Sequence, residues 1–233
     1  MTSFRIKQSL VVACAMLIAS MPTHAQTRKP LPADAADEVV FEQRSTGKAL
    51  LDTLLAEPAK ALSKTQILKA RFTKKKHLSE IPQPLVASGE FVFLRDVGVY
   101  WHTEKPFDSV FVLTQQGILQ RDEGSEALRV SSDKQPAVRV VADIFFALFT
   151  LNVSKLETDF EMFGRKQDGR WILGLRPKSA AVASVFKQAT VSGTAVVEQV
   201  VFTDKRGDRT VIEMSGVTQS ADVPAGMREL FKH

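Results

Sequence analysis

The chain has 233 residues, 44% hydrophobic and 24% charged, with 12 Gly and 10 Pro, a globular balance that excludes a disordered or collagen-like chain. Removing a leader that holds Arg5, Lys7 and no acid leaves 29 basic against 26 acidic side chains, a net +3, too small and too dispersed for a nucleic-acid footprint. The single cysteine, Cys14, lies in that leader, which excludes disulfides, thiolate zinc sites and cysteine nucleophiles from the mature chain.

Met1 to Ala25 reads as a bacterial secretory signal peptide, with Arg5 and Lys7 as the charged start, Leu10 to Ala19 as the apolar core and cleavage after Ala25. An apolar run of about ten residues is too short for a hydrocarbon core of roughly 30 Å. Val11-Val12-Ala13-Cys14 has the look of a lipoprotein cleavage tetrapeptide. It sits only Ser9 and Leu10 beyond the charged start, however, and the apolar run continues past it, so a soluble protein exported to the periplasm is expected. Residues 26–45, including TRKPLPADAADE, are expected to form a flexible lead-in to a single domain over 46–233.

A helix is predicted over Thr46 to Glu57, capped by Ser45, with Leu51, Leu54 and Leu55 on its apolar face and Pro58 ending it. The period then switches to two, and Leu68, Ala70 and Phe72 alternate with Lys69, Arg71 and Thr73 in a half-buried strand. Gly89 opens a second strand, in which Phe91, Phe93 and Arg95 share one face and Val92 and Leu94 the other. Asp96 to Gly98 turn the chain into Val99 to Thr103, and Pro106 separates this strand from Ser109 to Thr114. Gly117 to Arg121 and Ala127 to Ser132 complete a meander. Val138, Val141, Phe145, Leu148 and Phe149 then recur at helical steps, and Val140, Ile144, Ala147 and Leu151 make the opposite side apolar too. Such a helix must be covered nearly all round.

Strands are predicted to resume with Leu156, Thr158, Phe160 and Met162 alternating against Glu157, Asp159 and Glu161. Asp168-Gly169 marks a hairpin to a strand facing inward with Trp171, Leu173 and Leu175. Lys178 to Phe186 reads as a helical turn, Val196 to Thr203 and Arg209 to Ser215 as a last hairpin, and Pro224 to Phe231 as a short closing helix. About ten antiparallel strands and two apolar helices give an α+β, mainly β fold: an incomplete antiparallel barrel, one face solvated, with helices lidding an apolar cavity. The mature chain holds 14 Phe against one Tyr and two Trp. That choice suits a dry interior, although filling an ordinary core is the default use of such rings in small barrels and sandwiches.

No G-x-S-x-G elbow, phosphate-cradling glycine loop or H-E-x-x-H motif is present. His77, His102 and His233 are not at ligand spacing, and the alternating carboxylates read as a solvated face, so no enzyme activity, cofactor or metal is expected. Lys74-Lys75-Lys76-His77 reads as a solvated strand end that discourages edge pairing, the rarer alternative being a contact for anionic lipid or an acidic partner. Arg95, by strand parity, shares a face with Phe91 and Phe93; if that face is concave its guanidinium points toward an apolar interior and needs partners, the commoner alternative being a strand-end arginine that curls out to water.

Gly89-Glu90-Phe91-Val92-Phe93-Leu94-Arg95, followed by Trp101-His102 and Pro106, resembles the outer-membrane lipoprotein carrier (LolA) family, as do Arg71-Phe72-Thr73-Lys74 and Phe145 to Phe149. The resemblance spans about residues 46–215. It departs at Lys74, where the family has Gln, at Asp96, where it has Pro, and around Gln116-Gly117, where an aromatic is missing. It implies a non-enzymatic, monomeric periplasmic carrier. Such a carrier takes acyl chains of lipoproteins from an inner-membrane donor, driven by ATP, to an outer-membrane acceptor. Phe72, Phe91, Phe93, Trp101, Val141, Phe145, Leu148 and Phe149 are the lining candidates it implies, and Arg95 is the latch bonding to the lid. Other readings of the same pattern are a carrier of another amphiphile, such as a glycolipid or a lipid-like pigment precursor, and a protein-interaction or sensor module. An esterase or transferase using Arg95, His77 or His102 is the last.

Overall fold

The computed structural model describes residues 39–42, 46–135, 137–183 and 186–232. The signal peptide with Cys14 and Ala25, the lead-in to residue 38, the proposed cap Ser45, and His233 lie outside the described residues.

Alternating apolar and polar residues build two meanders. β1 (Ile67–His77), β2 (Leu85–Leu94), β3 (Gly98–Lys105), β4 (Ser109–Thr114), β5 (Gly117–Asp122) and β6 (Ser125–Ser131) form the first. β7 (Phe160–Gln167), β8 (Arg170–Pro177), β9 (Gln188–Gly193), β10 (Val197–Thr203) and β11 (Arg209–Ser220) form the second. β11 runs antiparallel to β1, with Phe72 opposite Met214. The result is one curved eleven-stranded antiparallel sheet with β6 and β7 as its two edges. It does not close into a barrel. The Asp168-Gly169 turn has φ of 49° and 79°, the left-handed pair that a two-residue hairpin loop requires.

The connection between the two edge strands is helical: α2 (Ala137–Phe149) lies over β3, β4 and β5, and α3 (Val153–Asp159) follows it against β7. α1 (Lys48–Ser63) also packs on β7 and α3, and a single turn, α4 (Ala180–Ala183), sits near β8. Leu68, Ala70, Phe72, Phe91, Phe93, Trp101, Leu173 and Leu175 face these helices in one continuous apolar cluster. On the opposite, convex face, Ile67, Val92, Leu94, Val112 and Leu119 are not left to water. The C-terminal 3₁₀ turn Met227–Phe231 covers them with Phe231. A second 3₁₀ turn, Val39–Glu42, seats Val40 on Phe163 and Ile172. These last residues belong to the stretch expected to be a loose lead-in; burial of Val40 holds them in place.

Several elements differ from the sequence expectation. α1 continues through Pro58 to Ser63, because Leu51, Leu55, Pro58 and Leu62 recur on one buried face and their burial outweighs the amide hydrogen bond that proline forfeits. The expected strand through Leu156 and Thr158 is instead helix α3. The Asn152 side chain accepts a hydrogen bond from the Lys155 amide at 3.1 Å, and Val153 and Leu156 are the buried positions. Glu157 and Asp159 are therefore helical and only Glu161 lies on a strand. β9 was not anticipated. Gly89 lies in the middle of β2 rather than at its start: a Cβ there would fall 1.9 Å from the His102 carbonyl oxygen, where the β2–β3 register shifts.

Replacing Asn152 with Ala is expected to cost about 1 kcal/mol of stability, the worth of a side-chain N-cap. Urea unfolding measures it, and an unchanged midpoint would show that α3 does not depend on this cap.

An aromatic face closed by helix α2

Strand alternation puts Phe72 on β1, Phe91 and Phe93 on β2 and Trp101 on β3 toward the helices. Opposite Phe72 on β2 stands Gly89, and with no side chain there Phe72 approaches Trp101 to 4.4 Å between ring centroids. Phe91 meets Trp101 edge-on at 5.4 Å. α2 brings the rings that complete the array. Phe149 lies 4.7 Å from Phe91 and 5.6 Å from Phe93, Phe146 is 5.8 Å from Phe93, and Phe145 is 6.4 Å from Phe149. All eight lining candidates belong to one apolar cluster or pack on it: Phe72, Phe91, Phe93, Trp101 and Phe149 are buried within it, while Val141, Phe145 and Leu148 lie half-buried against it. Where the sequence reading placed an open hollow, Phe149 itself occupies the space above Phe91 and Phe93. A second array, Phe160–Phe186–Phe202, extends the apolar face across the other meander, with centroids 6.0 and 5.6 Å apart. Sequence reasoning missed it because Phe186 and Phe202 lie on segments whose pairing with Phe160 is set by the sheet.

α2 is tied to the sheet by apolar contact and by few polar bonds. Gln115 donates to the Asp143 carboxylate at 2.9 Å and Arg139 to Asp133 at 2.9 Å, both exposed and worth little net. α1 is held differently. Arg95 Nε donates to the Thr65 carbonyl at 2.7 Å and Nη2 to the Leu62 carbonyl at 2.6 Å, capping the C-terminal end of α1 where carbonyls are unpaired and a cation is favoured. The structure therefore sets Arg95 at the C-terminal end of α1, one of the two helices that cover the face.

The lysine tract is not a uniformly solvated strand end. Lys75 points outward and pairs with Glu213 at 2.9 Å. Lys74 and Lys76 continue the Leu68–Ala70–Phe72 side, in register with Ile212 and Thr210. Lys76 is 8% exposed. Burial pushes the Lys74 ammonium below its ordinary pKa, and repulsion from Lys76 adds to that. Burial likewise lowers Lys76, opposed by the nearby Asp208 and Asp204 carboxylates.

On the convex side, Glu90, His102 and Glu104 bring ligand atoms within 4.8 Å of one another, a grouping across β2 and β3 that sequence spacing did not reveal. Arg71 already occupies it, reaching Glu104 at 2.6 and 2.7 Å and Glu90 at 3.4 Å, and His102 Nε2 lies 2.7 Å from Asp108. The hydrogen bond from Arg71 holds the Glu104 carboxyl below its usual range. The arrangement is a surface ion-pair network.

An open, curved antiparallel sheet whose aromatic face is covered by helices joining its two edges defines a half-barrel scaffold built around a protected apolar surface. Comparison with known proteins gives the family. The family model described as outer membrane lipoprotein carrier protein LolA matches residues 63–232, and the chain belongs to that family. An outer-membrane lipoprotein carrier protein of Pseudomonas fluorescens is 25% identical over 172 residues, covering 73% of this chain and 80% of the relative. One from Pseudomonas entomophila is 26% identical over 177 residues, with the same coverages. Among solved structures, a LolA superfamily protein of Nitrosomonas europaea aligns over 78% of this chain and 97% of its own, at 9% identity and a TM-score of 0.44.

Replacing Arg95 with Leu removes a charged donor from two carbonyls and is expected to lower stability by about 2 kcal/mol while leaving the sheet intact. Hydrogen exchange is expected to quicken in the last turn of α1 and not in β1 or β2; equal quickening throughout would mean that Arg95 supports the sheet rather than the helix end.

Proposed function

We propose that the chain is a periplasmic, non-catalytic carrier that shelters acyl chains against the aromatic face beneath α2 and shuttles lipoproteins from the inner to the outer membrane. The observation that carries this reading is the ring contact of Phe149 with Phe91 and Phe93. An apolar helix with exposed polar ties covers an apolar sheet face, so moving it uncovers a surface suited to hydrocarbon. Family membership and the names of the Pseudomonas relatives support the lipoprotein part. The proposed partners are an inner-membrane donor and an outer-membrane acceptor. A second reading, in which the acyl chains belong to another amphiphile, is favoured by the inward-facing lysine taken up below.

Phe145→Asp tests the carrier reading. Phe145 is half-buried at the rim of the array, so the variant is expected to fold, with an unchanged far-ultraviolet spectrum, and to lose at least tenfold in affinity for a fluorescent palmitoyl probe. A tenfold loss is about 1.4 kcal/mol, less than the cost of setting a carboxylate against hydrocarbon. Unaltered binding would show that α2 does not face the chain. Arg95→Leu is expected to bind the probe but to hand it more slowly to acceptor vesicles, because a loosened α1 no longer competes with cargo for the closed arrangement; an unchanged transfer rate would remove Arg95 from the cycle.

A further inference from the structure

On the helix-covered side the buried Trp101 Nε1 has no hydrogen-bond partner among the described residues, and the half-buried Lys74 ammonium lies beside the repelling charge of Lys76. Their placement follows from the strands. Lys74 is the next inward residue after Phe72, and its neighbours across the sheet are Ile212, which belongs to the core, and Ala87. Phe72 in turn lies against Trp101. Passing inward from the C-terminal end of β1, the face therefore presents a cation, an aromatic ring, an indole N–H donor and then Phe91 and Phe149.

The two inward lysines are not equivalent. Lys76 has the Asp208 and Asp204 carboxylates nearby to balance its charge. For Lys74 the charge that acts is Lys76, which repels it. A partly buried ammonium beside a second one is costly unless a counter-charge arrives, and a buried indole N–H without an acceptor carries a similar penalty. One kind of ligand relieves both: a hydrocarbon chain whose head is negatively charged and linked through a carbonyl.

We infer that the carrier's cargo is a lipid with an anionic head, phosphate or carboxylate, which pairs with Lys74 while its hydrocarbon runs inward past Phe72; where the head is a phosphate, the ester carbonyl of the chain accepts from Trp101 Nε1. The inference rests on the second carrier reading above, in which the acyl chains belong to another amphiphile, and specifies the head-group class at the same site. It also accounts for Lys74 lying on the apolar side while Lys75, one residue on, is already paired outside with Glu213.

The test is calorimetric titration of the mature chain with palmitoyl lysophosphatidylglycerol, palmitate, monopalmitoylglycerol and inorganic phosphate. The two anionic lipids are expected to bind about tenfold more tightly than monopalmitoylglycerol, the worth of one charge-assisted hydrogen bond, and phosphate alone not measurably. Lys74→Gln is expected to erase that preference while leaving monopalmitoylglycerol binding unchanged, and Lys74→Arg to keep it. If only one anionic lipid keeps the advantage, that lipid's head chemistry, phosphate or carboxylate, is the one Lys74 reads. Equal binding of charged and neutral lipids by the unaltered protein, a preference that survives Lys74→Gln, or tight binding of phosphate by itself would each overturn the head-group assignment and leave the carrier reading standing. Failure of every lipid to bind would remove both.

Discussion

An antiparallel sheet whose edges do not meet leaves its inner face without the second layer that a closed barrel supplies from its own far wall. Here β6 and β7 are those edges, and the chain must travel from one to the other. The segment that does so therefore crosses the open face, and the apolar rings of β1, β2 and β3 dictate what it must be made of. This accounts for the apolar side of α2, where Val138, Ala142, Ala147 and Phe149 are buried and Val141, Ile144, Phe145, Phe146 and Leu148 are half-covered; the outer side is not covered as expected, and Val140 there stands 43% exposed. The joint after α2 carries the strain of the crossing. Leu151 takes a φ of 52°, unfavourable for a side chain with a Cβ, and is held there because that side chain is 3% exposed and because the Asn152 amide closes on the Ala147 carbonyl at 2.8 Å.

The two helices that cover the face are fixed by different forces. α1 is anchored at both ends: Thr46 exchanges bonds with β7 through the Met162 carbonyl and the Gly164 amide, each at 2.8 Å, and Arg95 caps the far end. Gly164 matters here, since a Cβ would fall 2.7 Å from Leu51 and 2.9 Å from Leu54, so its absence lets α1 sit directly on the strand. Among the described residues α2 is tied by side-chain bonds alone: Gln115 to Asp143, and Arg139 to Asp133 and to Ser132. Polar bonds at both ends thus pin the first helix, and packing is the main force retaining the second.

Much of this was legible in the sequence wherever a single period dominated. Period-two alternation gave the inward set on β1, β2 and β8, the Asp-Gly pair gave the β7–β8 hairpin, and helical steps gave α2 with Val138 and Phe149 on its buried side, while Ala147, read as facing away, is buried with them. The failures share a cause. Leu156 and Phe160 satisfy both periods, so only the Asn152 cap distinguishes helix from strand there. The inward residues of β9, Ala189 and Val191, are too small and too few to signal an element. Arg95 was readable as facing the apolar side, but its partners were not, because Pro58 seemed to end α1 before Leu62. Lys74 and Lys76 obeyed the alternation already read from Leu68 to Phe72. Their charge suggested solvent, while the flanking strands carried the inward face past them.

Energetics limit how such a scaffold works under the proposed function. A palmitoyl chain moved out of water gains on the order of 12 kcal/mol at about 0.8 kcal/mol per methylene, and a protein that kept all of it would not let go. Lifting α2 returns Val138, Ile144, Phe145, Phe146 and Phe149 toward water. At about 2 kcal/mol per large apolar side chain that costs on the order of 10 kcal/mol. The two terms nearly cancel, which is what exchange of one apolar surface for another should give. Affinity is then decided by the small remainder: the strain at Leu151, the exposed ties of α2, and whatever the polar end of the cargo finds at Lys74 and Trp101. Hydrocarbon sets the size of the transaction and cannot set its selectivity, because every acyl chain offers the same methylenes. Discrimination has to come from the few polar atoms that an apolar face would otherwise have no reason to retain.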